Sequence, residues 1–358
     1  MRDGIAWLTV ALSAVACGGA GARPPSASPS PSPSAAADPQ GWVMLPASPE
    51  SPPNGRHDDV FFLDAANGWL VNTRAEVHRT RDGGSTWERL AQVPDVFLRC
   101  VGFASETLGW AGNINSTGGR TRPDASLFET ADGGRTWTNI STRIEGEPVV
   151  GLCGLRVLGD VVVAVGRWNG PPVFVKSTDG GRRWTSRSLA GLASGLVDVF
   201  FINEQDGFAV GGLGVGSSEA EQRASRTVVL RTGDGGATWQ TQYLSETVGE
   251  WAWKIDFVDD RVGFVTTEGP TPRGVVLKTV DGGDTWAPVL VSPGVAFEAV
   301  SFVSRERGWV GSFPTLFATA NGGASWTPLH FGTRVNRMRV VSPDLVYASG
   351  DRVYRWTP

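Results

Sequence analysis

The sequence predicts an all-β fold, a seven-bladed β-propeller of four-stranded blades. Three observations lead to it. The string Thr80-Arg81-Asp82-Gly83-Gly84-Ser85-Thr86-Trp87 returns with small changes at residues 130–137, 177–184, 232–239, 279–286 and 319–326. Its acidic or amide position falls at Asp82, Asp132, Asp179, Asp234, Asp281 and Asn321, a period of 40 to 55 residues that matches a four-stranded blade. An aromatic pair seven residues apart precedes most copies. Finally, the 358 residues include 47 glycines and 15 tryptophans but only 3 tyrosines, a balance that suits β-strands joined by tight turns.

The chain opens with a segment that reads as targeting. Arg2 precedes an apolar run from Ile5 to Val15, and Ser13-Ala14-Val15-Ala16 ends it with small residues before Cys17. The run is too short to cross a bilayer. It resembles a bacterial lipoprotein signal, which implies that residues 1–16 are removed and Cys17 is lipidated. Ala14 departs from the leucine commonest at that place, and a plain secretory signal cleaved near Ala16 is the alternative. Both place the chain outside the cytoplasm, lipid-anchored in the cell envelope or secreted. Residues 17–40 are Pro/Ser-rich and should form an extended tether with no packed core. The propeller is assigned to residues 41–358.

Within the repeats, Phe62 to Trp69, Phe103 to Trp110, Phe201 to Phe208, Phe257 to Phe264 and Phe302 to Trp309 each span seven positions, with glycine before the second aromatic. The first aromatic is assigned to strand a and the second to the start of strand b. Strand c runs into the Asp-Gly-Gly turn, and the tryptophan opens strand d. Two glycines supply the positive φ of a tight hairpin. The Asp carboxylate accepts N–H groups of its own turn, and Thr or Ser adds a hydroxyl. The tryptophan is expected to bury between blades. Folding alone accounts for the whole motif.

The seventh blade lacks the turn. Val340 and Tyr347 repeat the seven-residue spacing, and Val353-Tyr354-Arg355-Trp356 supplies strand c. Its strand d is assigned to Gly41-Trp42-Val43-Met44-Leu45, which would close the ring and remove free sheet edges.

These residues resemble the Asp-box (BNR) propellers, and among them the photosystem II stability/assembly factor family. The likeness rests on Asp59-Val60-Phe61-Phe62, Gly68-Trp69-Leu70-Val71 and Thr80 to Trp87, and extends over residues 41–358. It implies a non-catalytic role, holding a membrane-protein partner through an arginine-bearing patch, here Arg99, Arg334 and Arg337. Asp-boxes also occur in sialidases, other glycosidases and receptors, so the likeness specifies fold more than function.

Topology places the boxes and the a–b turns on one face of the ring. The b–c insertions at 112–126, 166–172, 211–226 and 267–274 fall on the other, where varied loops on a rigid scaffold can carry recognition. Strand a starts on that face. Alignment on its aromatic position, with Leu155 standing in for it in blade 3, brings candidate binding residues to the channel mouth. They are Arg56, His57, Asp58 and Asp59 in blade 1, Arg99 in blade 2, Asp198 in blade 4, Trp251, Trp253 and Lys254 in blade 5, Glu298 in blade 6, and Arg334, Asn336 and Arg337 in blade 7. A protein or an envelope glycan would suit this mixed polar and aromatic mouth.

Catalysis is the weaker reading. Sialidase chemistry needs a tyrosine–glutamate nucleophile pair, and Tyr243, Tyr347 and Tyr354 fall at packing positions. Two carboxylates across a cleft would suffice for another glycosidase, with Asp58 or Asp59 opposite Asp198, Asp256 or Glu298 and with Trp251 and Trp253 against a sugar. His57, His78 and His330 show no metal-ligand spacing, and no cofactor is expected. A net charge of −4 without a basic stripe argues against nucleic acid. Membrane contact is expected through the lipid alone, and the chain is expected to be a monomer. Cys100 and Cys153 lie at positions of opposite parity in neighbouring blades, which allows either a disulfide or two buried thiols.

Overall fold

The structure is a computed structural model that describes residues 41–115, 124–330 and 332–358. The targeting segment, Cys17 and the tether lie outside these residues, as does part of the 112–126 connection. The described chain forms seven separate sheets, the number expected from six boxes and one closing blade. In blade 1 the order is His57–Phe62, Gly68–Asn72, Glu76–Thr80 and Glu88–Gln92, all antiparallel neighbours. Blade 7 contributes Val335–Ser342, Leu345–Gly350 and Val353–Trp356, and Trp42–Met44 completes it. Trp42 pairs with Trp356 and Met44 with Tyr354 in an antiparallel register, so the first strand closes the last sheet.

The seven-residue spacing has a steric cause. Phe62 pairs with Gly68, Phe103 with Gly109 and Phe302 with Gly308. Each ring lies across its glycine, so that a Cβ at Gly308 would come within 2.2 Å of Phe302 carbons. The next residue of strand b then reaches the following blade. Trp69 stacks on Phe103 at 3.8 Å, Phe264 on Phe302 at 3.8 Å, and Tyr347 on Phe62 at 3.5 Å. The last of these joins blade 7 to blade 1. Such contacts are worth about 0.5–1.5 kcal/mol each beyond the area they bury.

The box turns satisfy themselves. Asp82 Oδ1 accepts the Thr86 N–H at 2.8 Å, and Oδ2 accepts the Thr86 hydroxyl at 2.6 Å. Gly83 and Gly84 take φ of 67° and 85°. The Gly83 N–H bonds the carbonyl of Ala66, which fixes the box to the a–b turn of its own blade. The preceding blade reaches the same glycine, because the Tyr347 hydroxyl donates to the Gly83 carbonyl at 3.0 Å. Trp69 Nε1 does so to Gly133 and Lys176 Nζ to Gly235. The boxes therefore link neighbouring blades as well as closing hairpins.

The box tryptophans pack between blades as expected, Trp184 against Trp110 of blade 2 and Trp239 against Phe174 of blade 3, and they also lie edge-on against the strand-a aromatic of their own blade, as in Phe62–Trp87 and Phe302–Trp326. Trp184 and Trp286 are buried, whereas Trp87, Trp137, Trp239 and Trp326 keep one edge in solvent. Blade 3 has an unforeseen fifth strand, Ile144–Gly146, parallel to Trp184–Ser188. The b–c connection of blade 4 contains a short helix, Glu219–Ala224, started by a Ser218/Glu221 capping box.

Candidate functional site

A recurring irregularity in strand a builds the channel. In blades 1, 2, 4, 5, 6 and 7 its pairing with strand b slips at Asp58, Arg99, Val197, Trp253, Glu298 and Asn336, respectively. Each lies four residues before the aromatic position. A β-bulge of this kind re-aims the side chains on either side of it. Beyond the bulge, alternation directs every second residue to the same side. The position three before the aromatic forms an upper ring of Asp59, Cys100, Gly154, Asp198, Lys254, Ala299 and Arg337. The position one before it forms a lower ring, nearer the boxes, of Phe61, Gly102, Arg156, Phe200, Asp256, Ser301 and Arg339.

Charges in the upper ring pair with one another. Arg337 Nη1 donates to Asp198 Oδ2 at 2.6 Å, and its Nε lies 3.4 Å from Asp59. Arg339 Nη2 holds both Asp59 oxygens at 3.2 Å. Backbone N–H groups of Val101 and Ile255 also donate to Asp59 and Asp198. Burial opposes ionisation of Asp198, yet Arg337 and Lys254 outweigh it and hold its pKa below the ordinary value. Lys254 has the opposite balance: burial and then the Arg99 charge bring its pKa down to about 7.

The bulge residues complete the network. Asp58 takes Arg56 Nε at 2.8 Å and Arg99 Nη1 at 3.1 Å, while Arg99 lies 4.9 Å over the Trp253 ring. Near the mouth, Arg334 grips Glu298 with two donors at 2.7 and 2.5 Å. Glu268, at the end of strand b in blade 5, is pushed up to about 7 by burial and the Glu298 charge.

The sequence-predicted residues thus come together, but inside the channel and not around an open mouth. His57, Asp58, Arg99, Lys254 and Arg337 are buried, because the bulge turns the charged groups inward to meet counter-charges. His57 fills a slot that other blades give to Leu98 or Val335, with Nε2 3.0 Å from the Pro49 carbonyl. Burial brings its pKa down to about 4. Trp251 and Trp253 pack with Trp168, Val197 and Val215 and present no sugar platform. Of the expected arginine patch only Arg334 keeps exposure, 24% of its side chain, and Arg56 keeps 15%. The carboxylates proposed as a catalytic pair are engaged: Asp58, Asp59, Asp198 and Glu298 by arginines, Asp256 by the Ser301 hydroxyl at 2.9 Å. Cys100 and Cys153 are two buried thiols with no bond between them. No grouping of three His, Cys, Asp or Glu side chains suited to a metal ion occurs among the described residues.

Residues 48–150, blades 1 and 2 and what precedes them, match the family described as Photosynthesis system II assembly factor YCF48. The chain is an Asp-box β-propeller whose first two blades are similar to the Ycf48 family. A curated relative, Photosystem II assembly lipoprotein Ycf48 of Synechococcus sp. (strain CC9902), is 26% identical over 159 residues, 44% of each chain. The match thus spans less than half of that relative. Among solved structures, YCF48 bound to D1 peptide superposes with a TM-score of 0.63 at 19% identity, covering 90% of this chain and 98% of that one. YCF48 from Cyanidioschyzon merolae gives 0.62 at 19%, covering 88% and 98%. The GH74 xyloglucanase of Xanthomonas campestris gives 0.61 at 13%, covering 88% and 53%. At these identities the structures speak for the fold.

Sequence reasoning missed Arg156, Ser301, Arg339 and Glu268. Arg156 was hidden by the alignment of blade 3 on Leu155. The Asp160 carbonyl accepts the box N–H of Gly180, as Ala66 does for Gly83. Counting on two residues makes Val162 the counterpart of Gly68, and its partner is Val157. The aromatic position is therefore Val157, two residues later than expected, which puts Arg156 in the lower ring. The available signal was Gly159-Asp160, a two-residue hairpin turn that shortens the a–b connection.

Proposed function

We propose that this propeller is an extracytoplasmic, lipid-anchored binding protein that holds a protein partner during assembly, on the face opposite the boxes. The observation that carries this reading is the contrast between the two faces. One rim is built from near-identical turns that satisfy their own polar groups. The other is built from unequal loops that expose Phe313 (66%), Val248 (54%) and Arg74, beside the partly exposed Arg56 and Arg334. Apolar and arginine side chains of this kind are favoured anchors in protein interfaces. The likeness to YCF48, solved with a D1 peptide, supports a polypeptide ligand, and the relative described as a lipoprotein supports lipidation at Cys17. In this reading residues 18–40 hold the ring away from the bilayer.

The test places a photo-crosslinking amino acid at Phe313 in one sample and at Thr285, on the box rim, in another, in native membranes. Capture of one identified protein from Phe313 and not from Thr285 is expected. Equal capture from both rims would overturn the reading, as would glycoside release on a substrate panel that is lost in Glu298→Gln.

A further inference from the structure

We propose that the box-side end of the channel is a binding site for a small monocarboxylate. The site lies at the far end of the channel from the docking face and does not depend on it.

Arg156 is the first reason. Among the described residues it makes no hydrogen bond or ion pair within 4 Å, and its guanidinium lies 3.7 Å from the Phe200 ring centre. The neighbouring arginines are engaged, Arg337 by Asp198 and Arg339 by Asp59. A guanidinium has five donors and no acceptor. Arg156 is half-buried in the channel wall, and the Asp256 charge acts on it without a direct bond.

Space is the second. A cavity of ≈ 190 Å³ opens beside Arg156, room for roughly six non-hydrogen atoms at a water's share of volume. Its wall is divided. Arg156, Lys254, Asp256, Ser301, Arg337 and Arg339 offer polar groups, whereas Ile255, Met338 and Val340 offer apolar surface. Such a wall accommodates a charged head on a short apolar body.

Charge is the third. The two rings carry the cations Arg156, Arg337 and Arg339 and the Lys254 amine against the carboxylates Asp59, Asp198 and Asp256, so anions and cations are close to balanced and no excess of negative charge repels a carboxylate. The planar fork of Arg156 matches a carboxylate with two parallel hydrogen bonds. Phe200, stacked behind the guanidinium, fixes the plane in which the fork is presented.

Calorimetric titration of the purified full chain tests the proposal. The probes are sodium propionate, sodium butyrate, sodium phosphate, sodium chloride and N-acetylglycylvaline, at equal ionic strength and pH 7. Saturable one-site heat is expected with propionate or butyrate. In Arg156→Met binding should weaken roughly tenfold or more, the usual scale for losing a charge-assisted pair, with Arg156→Lys in between. Arg156→Met should melt near the parent because no protein partner loses its bond. Val340→Trp, which fills the cavity, should abolish binding, and it carries the test if Arg156→Met fails to fold. The proposal is overturned by lack of saturable heat with both monocarboxylates, or by unchanged binding in Arg156→Met or Val340→Trp. Tighter binding of phosphate would also overturn it, and tighter binding of the acetylated dipeptide would assign the site to a chain end instead.

Discussion

Arg337 of blade 7 donates to Asp198 of blade 4 at 2.6 Å, a bond across the channel between blades that are not neighbours in the ring. Both groups are buried, so each depends on the other to offset its lost hydration. Arg337→Met should cost about 3–5 kcal/mol, the scale for leaving a buried charge uncompensated. Asp59 retains Arg339 in that variant, so the loss centres on Asp198. The double variant Arg337→Met/Asp198→Leu should recover most of the loss. Urea denaturation of the two single variants and the double measures this, and additive losses would refute the coupling.

The boxes should carry a distinctive acid dependence. Hydrogen bonds from the Thr285 hydroxyl and then its N–H hold the Asp281 carboxyl down to about 2, from an ordinary 3.8. A carboxylate depressed on folding contributes stability above its unfolded value and loses it as pH falls toward the folded one. Asp281→Asn keeps the acceptor for that N–H, as Asn321 does for Ser325 at 2.9 Å. At pH 7 the Asn variant should melt close to the parent, and Asp281→Ala should melt lower. Any gap between parent and Asn variant should shrink between pH 4 and 2 in a melting series.

Lys254 should work in the opposite sense. Its pKa falls from 10.5 to about 7 through burial and then Arg99. Between these values the unfolded chain binds a proton that the folded chain does not, so stability should rise with pH across the window. Lys254→Met should therefore stabilise most below pH 7, with the gain fading toward pH 10. Denaturation at pH 6 and pH 9.5 tests the sign, and a gain that grows with pH would contradict it.

Ring closure should depend on Trp42. Its indole is 1% exposed and meets Trp309 of blade 6 edge-on at 5.4 Å. Trp42→Ala should cost about 3–5 kcal/mol, as for other large core truncations. Deleting residues 41–46 should do more, since it leaves Val353–Trp356 as an unpaired edge open to a second chain. Size-exclusion chromatography of the deletion should show association, and a monodisperse monomer would contradict this account.

Blade count, box position and closure could be read before any coordinates because their determinants are local. Gly83 and Gly84 need positive φ whatever surrounds them, and Phe302 must find a residue without a side chain six positions on, which is Gly308. Short-range sterics and turn chemistry repeat faithfully when the unit repeats. Where the unit shortened, as at Gly159-Asp160, local reading lost its register by two residues and Arg156 with it.

The amino-acid order by itself therefore determined a closed ring of seven sheets and the charged residues of its upper ring, Asp59, Asp198, Lys254 and Arg337. Only the tertiary structure decided which of those residues would be spent on one another. Arg337 and Asp198 lie 139 residues apart in the chain, and nothing near either one foretells the other. Whether a charge faces solvent, finds a counter-ion or is left like Arg156 depends on which distant blades stand across the channel and how each bulge turns its side chain. Desolvation and Coulomb attraction act through space, so they are settled only once the ring has closed.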